Sequence, residues 1–311
     1  MFGWIPFSVG DLLYGYAGIW LIIKTVRFVR AIRAKKVNPL YVRNMFLRTI
    51  YISLAVYCAF NLLWGLNYNR YGIDYQMKLE SSDYSDADLV ELTKHIAVRL
   101  NSLQPSSVPG RHLLRKKRNL FDGAVQSYDQ LGNNNSIFSY THPSIKPSIY
   151  SYIGNYLGFT GYYNPFTGEA QVNTTVPVFI RPFTTCHEIG HQLGYAKESE
   201  ANFAAYLSAT ASKDTTFLYS VYFEMYAYSA RYLYYTDSLA LKEITATLSL
   251  PVKQDVKELR AFLRKYDTPI ETAVDNLYSQ FLKANEQPTG KMSYNEVVGM
   301  LIAYYKKHGQ I

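Results

Sequence analysis

Cysteine is nearly absent: two in 311 residues, Cys58 and Cys186. Neither lies in a C-x-x-C pair, no disulfide is expected between them, and the count leaves the redox compartment open. Acidic residues are missing from Lys24 to Arg48, where eight basic residues fall: Lys24, Arg27, Arg30, Arg33, Lys35, Lys36, Arg43 and Arg48. Without these eight, the 32 Lys and Arg reduce to 24, equal to the 24 Asp and Glu, so the rest of the chain is neutral overall. A nucleic-acid binder carries its basic surplus on a folded face. Here the surplus sits between two apolar segments, which argues against nucleic acid and for membrane topology. A signal peptide is not indicated, because the first apolar stretch lacks a basic n-region and a small-residue cleavage site. Internal repeats are also missing.

Apolar residues make up 48% of the chain, enough for a sizeable core in one large or two small domains. Tyrosine is in surplus, with 30 copies. That suits amphipathic surfaces, wet cavities or a membrane interface, with compositional drift as the competing account. Two transmembrane helices are expected, at about residues 10–30 and 49–66. The second reads TIYISLAVYCAFNLLWGL, without charge, and Trp64 suits an interface anchor. The first is LLYGYAGIWLII, extended to Val29 if Lys24 and Arg27 snorkel. The basic loop between them then stays cytoplasmic. Residues 1–66 form a membrane anchor, and 67–311 an extracytoplasmic domain, periplasmic in a double-membrane bacterium.

The outer part reads as mostly helical. Helices are expected over Ser81–Leu103, Phe217–Tyr235, Val252–Leu263, Ile270–Ala284 and Ser293–Lys307. Arg111–Asn119 is basic and reads as a solvated helix face. Asn133–Pro147 reads as loop. Asn-Pro and Thr-Gly turn signals frame a short strand, EAQVN, at Glu169–Asn173. A helix opening at Pro182 to Thr184 and ending near Gly194 is followed by another starting at Glu198 or Ser199.

That pair of helices holds the chemistry: TTCHEIGHQLGYAKESEANFAAYL, Thr184 to Leu207. His187-Glu188-Ile189-Gly190-His191 has H-E-x-x-H spacing, and residues four apart share a helix face, so both imidazoles can bind one zinc ion. Glu188, beside it, can take a proton from the attacking water. Gly190 is costly inside a helix and predicts close packing there. A catalytic zinc needs a third protein ligand and an open position. The metzincin histidine spacing lands on Lys197, and two carboxylates follow as candidates, Glu198 and Glu200. A structural site would be closed by a fourth ligand, for which Cys186 and Glu200 are nearby. Tyr162, Tyr163, Tyr195 and Arg231 are candidate oxyanion donors.

Glu198-Ser-Glu-Ala-Asn202 resembles the glutamate segment of gluzincin peptidases. By that resemblance Glu198 is the ligand, and Asn202 supports a zinc-binding histidine where an aspartate is usual. In zincins an edge strand before the active-site helix pairs with substrate; Gly168, Glu169, Ala170, Gln171, Val172 and Asn173 are the candidates. Across the chain, GWIPFSVGDLLY, NLLWGLNYNR, NPFTGEAQVN, PFTTCHEIGHQLGYAKESEANFAAYL and SYNEVVGMLIAYY resemble an uncharacterised bacterial membrane family, domain-of-unknown-function family 3810. The resemblance implies a gluzincin-like zinc protein of the cytoplasmic membrane, with one further span ahead of Met1, and names no substrate.

The expectation is therefore a mainly α protein. Transmembrane helices precede an extracytoplasmic, mostly helical zincin-like domain with a short β-strand region before the active-site helix. It would be a zinc metallopeptidase, one Zn2+ per chain, acting on a peptide or protein at the bilayer. Two alternatives stand beside it: a metal-binding sensor or regulator with narrow or no proteolytic activity, and a scaffold with structural zinc.

Overall fold

Two capped apolar helices open the chain. Ser8 Oγ accepts from the Asp11 amide at 2.9 Å and starts α1, Val9–Arg33. Asn38 Oδ1 accepts from the Tyr41 amide at 2.8 Å, with Pro39 in the first turn, and starts α2, Pro39–Leu63. The second helix thus begins ten residues before the predicted 49, because Asn-Pro is itself a start signal. Arg43 and Arg48 lie on α2, and only residues 34–38 remain of the predicted basic loop. Each helix has 25 residues, about 37 Å at 1.5 Å per residue, against a hydrocarbon core of about 30 Å. Both are long and apolar enough to cross a membrane, and neither buries its apolar stretch against the protein.

The computed structural model describes residues 2–81, 84–284 and 294–309. After a turn at Gly65–Asn69 come α3, Ile73–Met77, and α4, Asp86–Arg111, opened by a Ser85–Asp88 capping box. α4 runs through Pro105 and Pro109, beyond the predicted end at Leu103. Leu92, Ile96, Leu100 and Leu103 pack it along α9, Thr215–Thr236, and that burial outweighs the missing backbone bonds. α5, Lys117–Asn134, follows a short turn, so the basic Arg111–Asn119 run straddles a helix junction.

Three strands form one small sheet: β1, Ile145–Pro147; β2, Gly161–Asn164; and β3, Glu169–Val172, with α6, Ser151–Leu157, between β1 and β2. The order is β1-β3-β2, β1 parallel and β2 antiparallel to β3. β1 uses the end of the predicted loop Asn133–Pro147. The helices that follow are α7, Arg181–Gln192; α8, Glu198–Ser212; α9; α10, Ser238–Thr247; α11, Leu250–Tyr266; α12, Pro269–Ala284; and α13, Tyr294–His308. α3, α5 beyond Asn119, α6 and α10 were not anticipated, and Ser293, the predicted start of the last helix, lies outside the described residues. α8 is central, packed by α5, α7, α9 and α13, and the sheet lies on α7. The domain is mainly helical, with two apolar N-terminal helices and a small sheet.

Much of the tyrosine surplus is core. Tyr128, Tyr195, Tyr206, Tyr219 and Tyr222 are buried. Tyr128 and Tyr195 donate to the carbonyls of Cys186 and Ile137 at 2.8 and 3.0 Å, which lets a ring fill the core without stranding its hydroxyl.

The boundary at 66 does not separate two bodies. Buried Glu169 accepts from the backbone N–H groups of Val9 and Gly10 at 3.1 and 2.6 Å, capping the start of α1 from the sheet. Buried Asp11 accepts from the Ile149 amide at 2.6 Å and from the Tyr162 hydroxyl. Trp64, at the end of α2, is buried with Tyr68 and Ala196. The helix hairpin is wired into the domain rather than tethered to it.

Candidate metal centre

α7 and α8 form a tight hairpin. Gly194, at φ 89°, reverses the chain where most side chains would be strained, and Arg70 Nη1 donates to the Leu193 carbonyl at 2.9 Å to close the end of α7. At Gly190 an added Cβ would lie 3.2 Å from Ala201 Cα, so the predicted close packing is against the backbone of α8.

This closeness brings three donors together. His187 Nε2 lies 3.3 Å from Glu198 Oε2, and His191 Nε2 lies 3.6 Å from Glu198 Oε1. One donor atom from each residue falls within 4.8 Å of the others. The far ring nitrogens are also held: His187 Nδ1 is 2.7 Å from Asn202 Oδ1, and His191 Nδ1 is 2.8 Å from the Tyr195 carbonyl. An oxygen acceptor at each Nδ1 places the proton there and aims the Nε2 lone pair inward, as metal binding requires. Two neutral imidazoles and a carboxylate suit zinc, and the set fits one ion with an open side.

The charges suit a cation too. Burial opposes ionisation of Glu198, yet the hydrogen bonds and charges of both histidines hold its carboxyl well below the usual range. Burial lowers His191, but Glu198 more than compensates and raises it to about 9. A proton on His191 thus supplies the positive charge that a metal would replace. Burial pushes Glu188 up to about 7, against the pull of both histidines. Glu188 Oε2 has no hydrogen-bond partner among the described residues. An added Cβ at Gly161 would lie 2.6 Å from Glu188 Oε1, so β2 runs directly beside the carboxylate.

Other candidates are placed elsewhere. Glu200 is buried facing Gly72, Asp74 and Arg70, and burial raises it to about 7; it is not in the donor group. The Cys186 thiol is buried with Ser208 and pushed up to about 12. Neither closes the site. The stretch from Gly168 to Asn173 is not an edge: β3 is the central strand, and Glu169 through Asn173 are buried. The periodicity of a short strand cannot reveal its rank in a sheet. The edge beside the cleft is β2. Among the oxyanion candidates, Tyr195 is tied to Ile137, Tyr162 to Asp11 and Ser148, and Arg231 is exposed on α9; Tyr163 lines the cleft against Trp64.

The site opens into a cleft of about 830 Å³. Its lining includes residues with no motif in sequence. Tyr278 of α12 donates to Glu198 Oε1 at 2.6 Å. Tyr228 of α9 donates to Asn202 Oδ1 at 3.4 Å. They stand 80 and 26 residues from their partners.

Residues 1–302 match the family described as Protein of unknown function (DUF3810). The chain belongs to that family. No curated protein and no solved structure matches it. This DUF3810 chain therefore has to be read from its own geometry.

Proposed function

We propose that this DUF3810 chain is a zinc metalloendopeptidase of the gluzincin kind, held in a bacterial cytoplasmic membrane by its helix hairpin. The observation that carries the reading is the three-donor group of His187, His191 and Glu198, with an open side toward the cleft and Glu188 beside it. A structural site would use a fourth protein donor, and both nearby candidates point elsewhere.

His187, His191 and Glu198 would hold a zinc ion, which would supply Lewis acidity toward a water and a peptide carbonyl. Glu188 accepts the proton of the attacking water and returns it to the leaving amine. Its raised affinity for protons suits both transfers. Asn202 orients His187, and the Tyr195 carbonyl orients His191. The edge of β2 offers backbone groups to an extended substrate. Tyr278 and Tyr228 steady the site itself, donating to Glu198 Oε1 and Asn202 Oδ1. Arg30, Arg33, Lys35 and Lys36 at the closed end of the hairpin favour a cytoplasmic position for that end, which leaves the cleft outside.

The narrower reading, a protease or sensor dedicated to one partner, is favoured by one feature: α12 lies against the cleft with Tyr278 on the ligand Glu198.

The test uses the full-length protein in detergent or nanodiscs, because the hairpin is part of the fold. About one zinc per chain is expected in the parent and none in a His187→Ala, His191→Ala double variant. Absence of metal from the folded parent after zinc is supplied would end the reading.

A further inference from the structure

The cleft has an unusual charge inventory. The chain carries 32 Lys and Arg, yet none is among the described residues that line the cleft. Apart from the metal-site residues, the ionisable lining is tyrosine and Asp275. The remaining walls are aromatic and aliphatic, among them Phe60, Phe159, Phe166, Phe183 and Phe281. Away from the metal site a substrate carboxylate or phosphate would find no cation among the described lining residues, and Asp275 alone could meet a basic side chain. The walls do not favour a C-terminal carboxylate either, so the peptide is gripped along its length.

The position of the cleft says where such a peptide comes from. Tyr14 of α1 and Phe60 and Trp64 of α2 form part of its wall. Tyr14 is five residues into α1, about 8 Å from its start. The opening of α6 is pinned to that first turn: the Ile149 amide donates to Asp11 Oδ2 at 2.6 Å, and the Tyr150 hydroxyl to the Asp11 carbonyl at 2.8 Å. Around this point Ile149, Tyr152 and Ile153 are exposed by 58%, 60% and 53%. On α12, which packs against α6, Leu277 is 67% exposed. An apolar rim of this kind is costly in water, but at the end of two lipid-facing helices it meets the headgroup and acyl boundary.

We propose that the cleft takes an uncharged, apolar stretch of polypeptide lying at the membrane surface, and that this stretch is cut internally. The inference rests on the metalloendopeptidase reading for the cut, though not for the binding. The β2 edge grips the backbone, and the aromatic walls select the side chains.

Binding is read first, on the Glu188→Gln protein in nanodiscs. The probe is an acetylated, amidated nonapeptide of Leu, Val and Ala with a central benzoylphenylalanine for photocrosslinking. Crosslinks to β2, α6 or α12 are expected, reduced about tenfold when Lys or Glu replaces the residues beside the probe. Ile153→Lys, at an exposed position that tolerates charge, should bring back the Glu peptide while weakening the parent peptide. Hydrolysis by the parent enzyme should fall within the same capped peptide. Three results would each overturn the inference: crosslinks confined to the lipid-facing sides of α1 and α2, equal capture of charged peptides, or cleavage that needs a free terminus. Zinc content of the same preparations separates the two readings. Cleft crosslinks without zinc leave this inference standing and remove the peptidase. Zinc with hydrolysis of charged peptides does the reverse.

Discussion

Two helix hairpins, each turned by five residues, solve opposite problems in this chain. α1 and α2 expose apolar side chains on every face: Leu21, Ile22, Phe46 and Tyr51 are more than half exposed. α7 and α8 bury polar ones: Glu188, His191, Glu200 and Asn202 are all under 9% exposed. The first pair is long and apolar enough to cross a membrane. The second holds most of its buried polar groups from within, through Tyr195, Asn202 and the ion pair, and leaves Glu188 Oε2 without a partner among the described residues. Both pairs join two helices through five residues, but it is α7 and α8 that pack closely along each other, and that closeness is what lets them gather polar groups.

The comparison is broken most strongly at Glu188. Glu188→Gln should retain zinc and lose about 10²–10⁴ in peptide hydrolysis, the usual worth of a general base. Full activity in a zinc-loaded variant would remove this carboxylate from the mechanism. Next comes the wiring between the two hairpins. Glu169→Ala strands the Val9 and Gly10 amides at a buried helix start and should cost about 1–3 kcal/mol per lost partner, read as a lower unfolding midpoint with α1 no longer protected at its first turn. An unchanged midpoint would mean that the anchor is only a tether.

Asn202→Ala should weaken zinc affinity about 10–100-fold by freeing the His187 ring, with the fold intact. Asn202→Asp should keep or tighten it; equal affinities for all three proteins would show that the ring is held by packing alone. The two glycines sharpen the contrast further. Gly190→Val drives a side chain into the Ala201 backbone and should cost about 1–3 kcal/mol. Gly18→Ala, with nothing within 4 Å of the new Cβ, should be neutral or gain up to about 1 kcal/mol.

pH separates the proton from the metal. In the metal-free protein His191 binds its proton more tightly folded than unfolded, about 9 against 6.5, so its contribution is full below 6.5 and is lost as pH rises through 9. Glu198 is shifted the other way, so its contribution is present above 4.5 and is lost as pH falls toward its depressed value. The pair should therefore stabilise the apo protein most between about pH 4.5 and 6.5 and fade toward alkaline pH. Zinc binding at pH 7.5 should release about one proton, measured by calorimetry in buffers of different ionisation enthalpy. A zinc-loaded protein should lose the alkaline decline, since the ion replaces the proton. Identical profiles with and without zinc would place the ion elsewhere.

Local spacing made the candidate metal site legible. His187 and His191 share a face because a helix repeats every 3.6 residues, and Glu198 follows close enough for Gly194 to fold it back. The apolar length of α1 and α2 was legible for the same reason: a run of uncharged residues is a property of the chain alone. What could not be read were pairings across long separations. Tyr278 reaches Glu198 over 80 residues with no motif to announce it. EAQV reads equally as edge or centre until β1 and β2 are in place. Pro105 and Pro109 are breakers locally, and only the packing of α4 on α9 carries the helix past them.

By itself the sequence determined which residues are candidates to hold a metal, which segments are long and apolar enough to cross a membrane and where α7, α8, α9, α12 and α13 run, because capping, periodicity and hydrophobic length act within a few turns of chain. Tertiary structure alone decided that Glu200 and Cys186 face away, that β2 is the edge beside Glu188, that α12 meets the cleft, and that Glu169 and Asp11 weld the N-terminal apolar helices to the sheet beside the candidate site. Those outcomes depend on the closing of long loops and on the satisfaction of buried charges by groups distant in sequence, and neither is written in any local window.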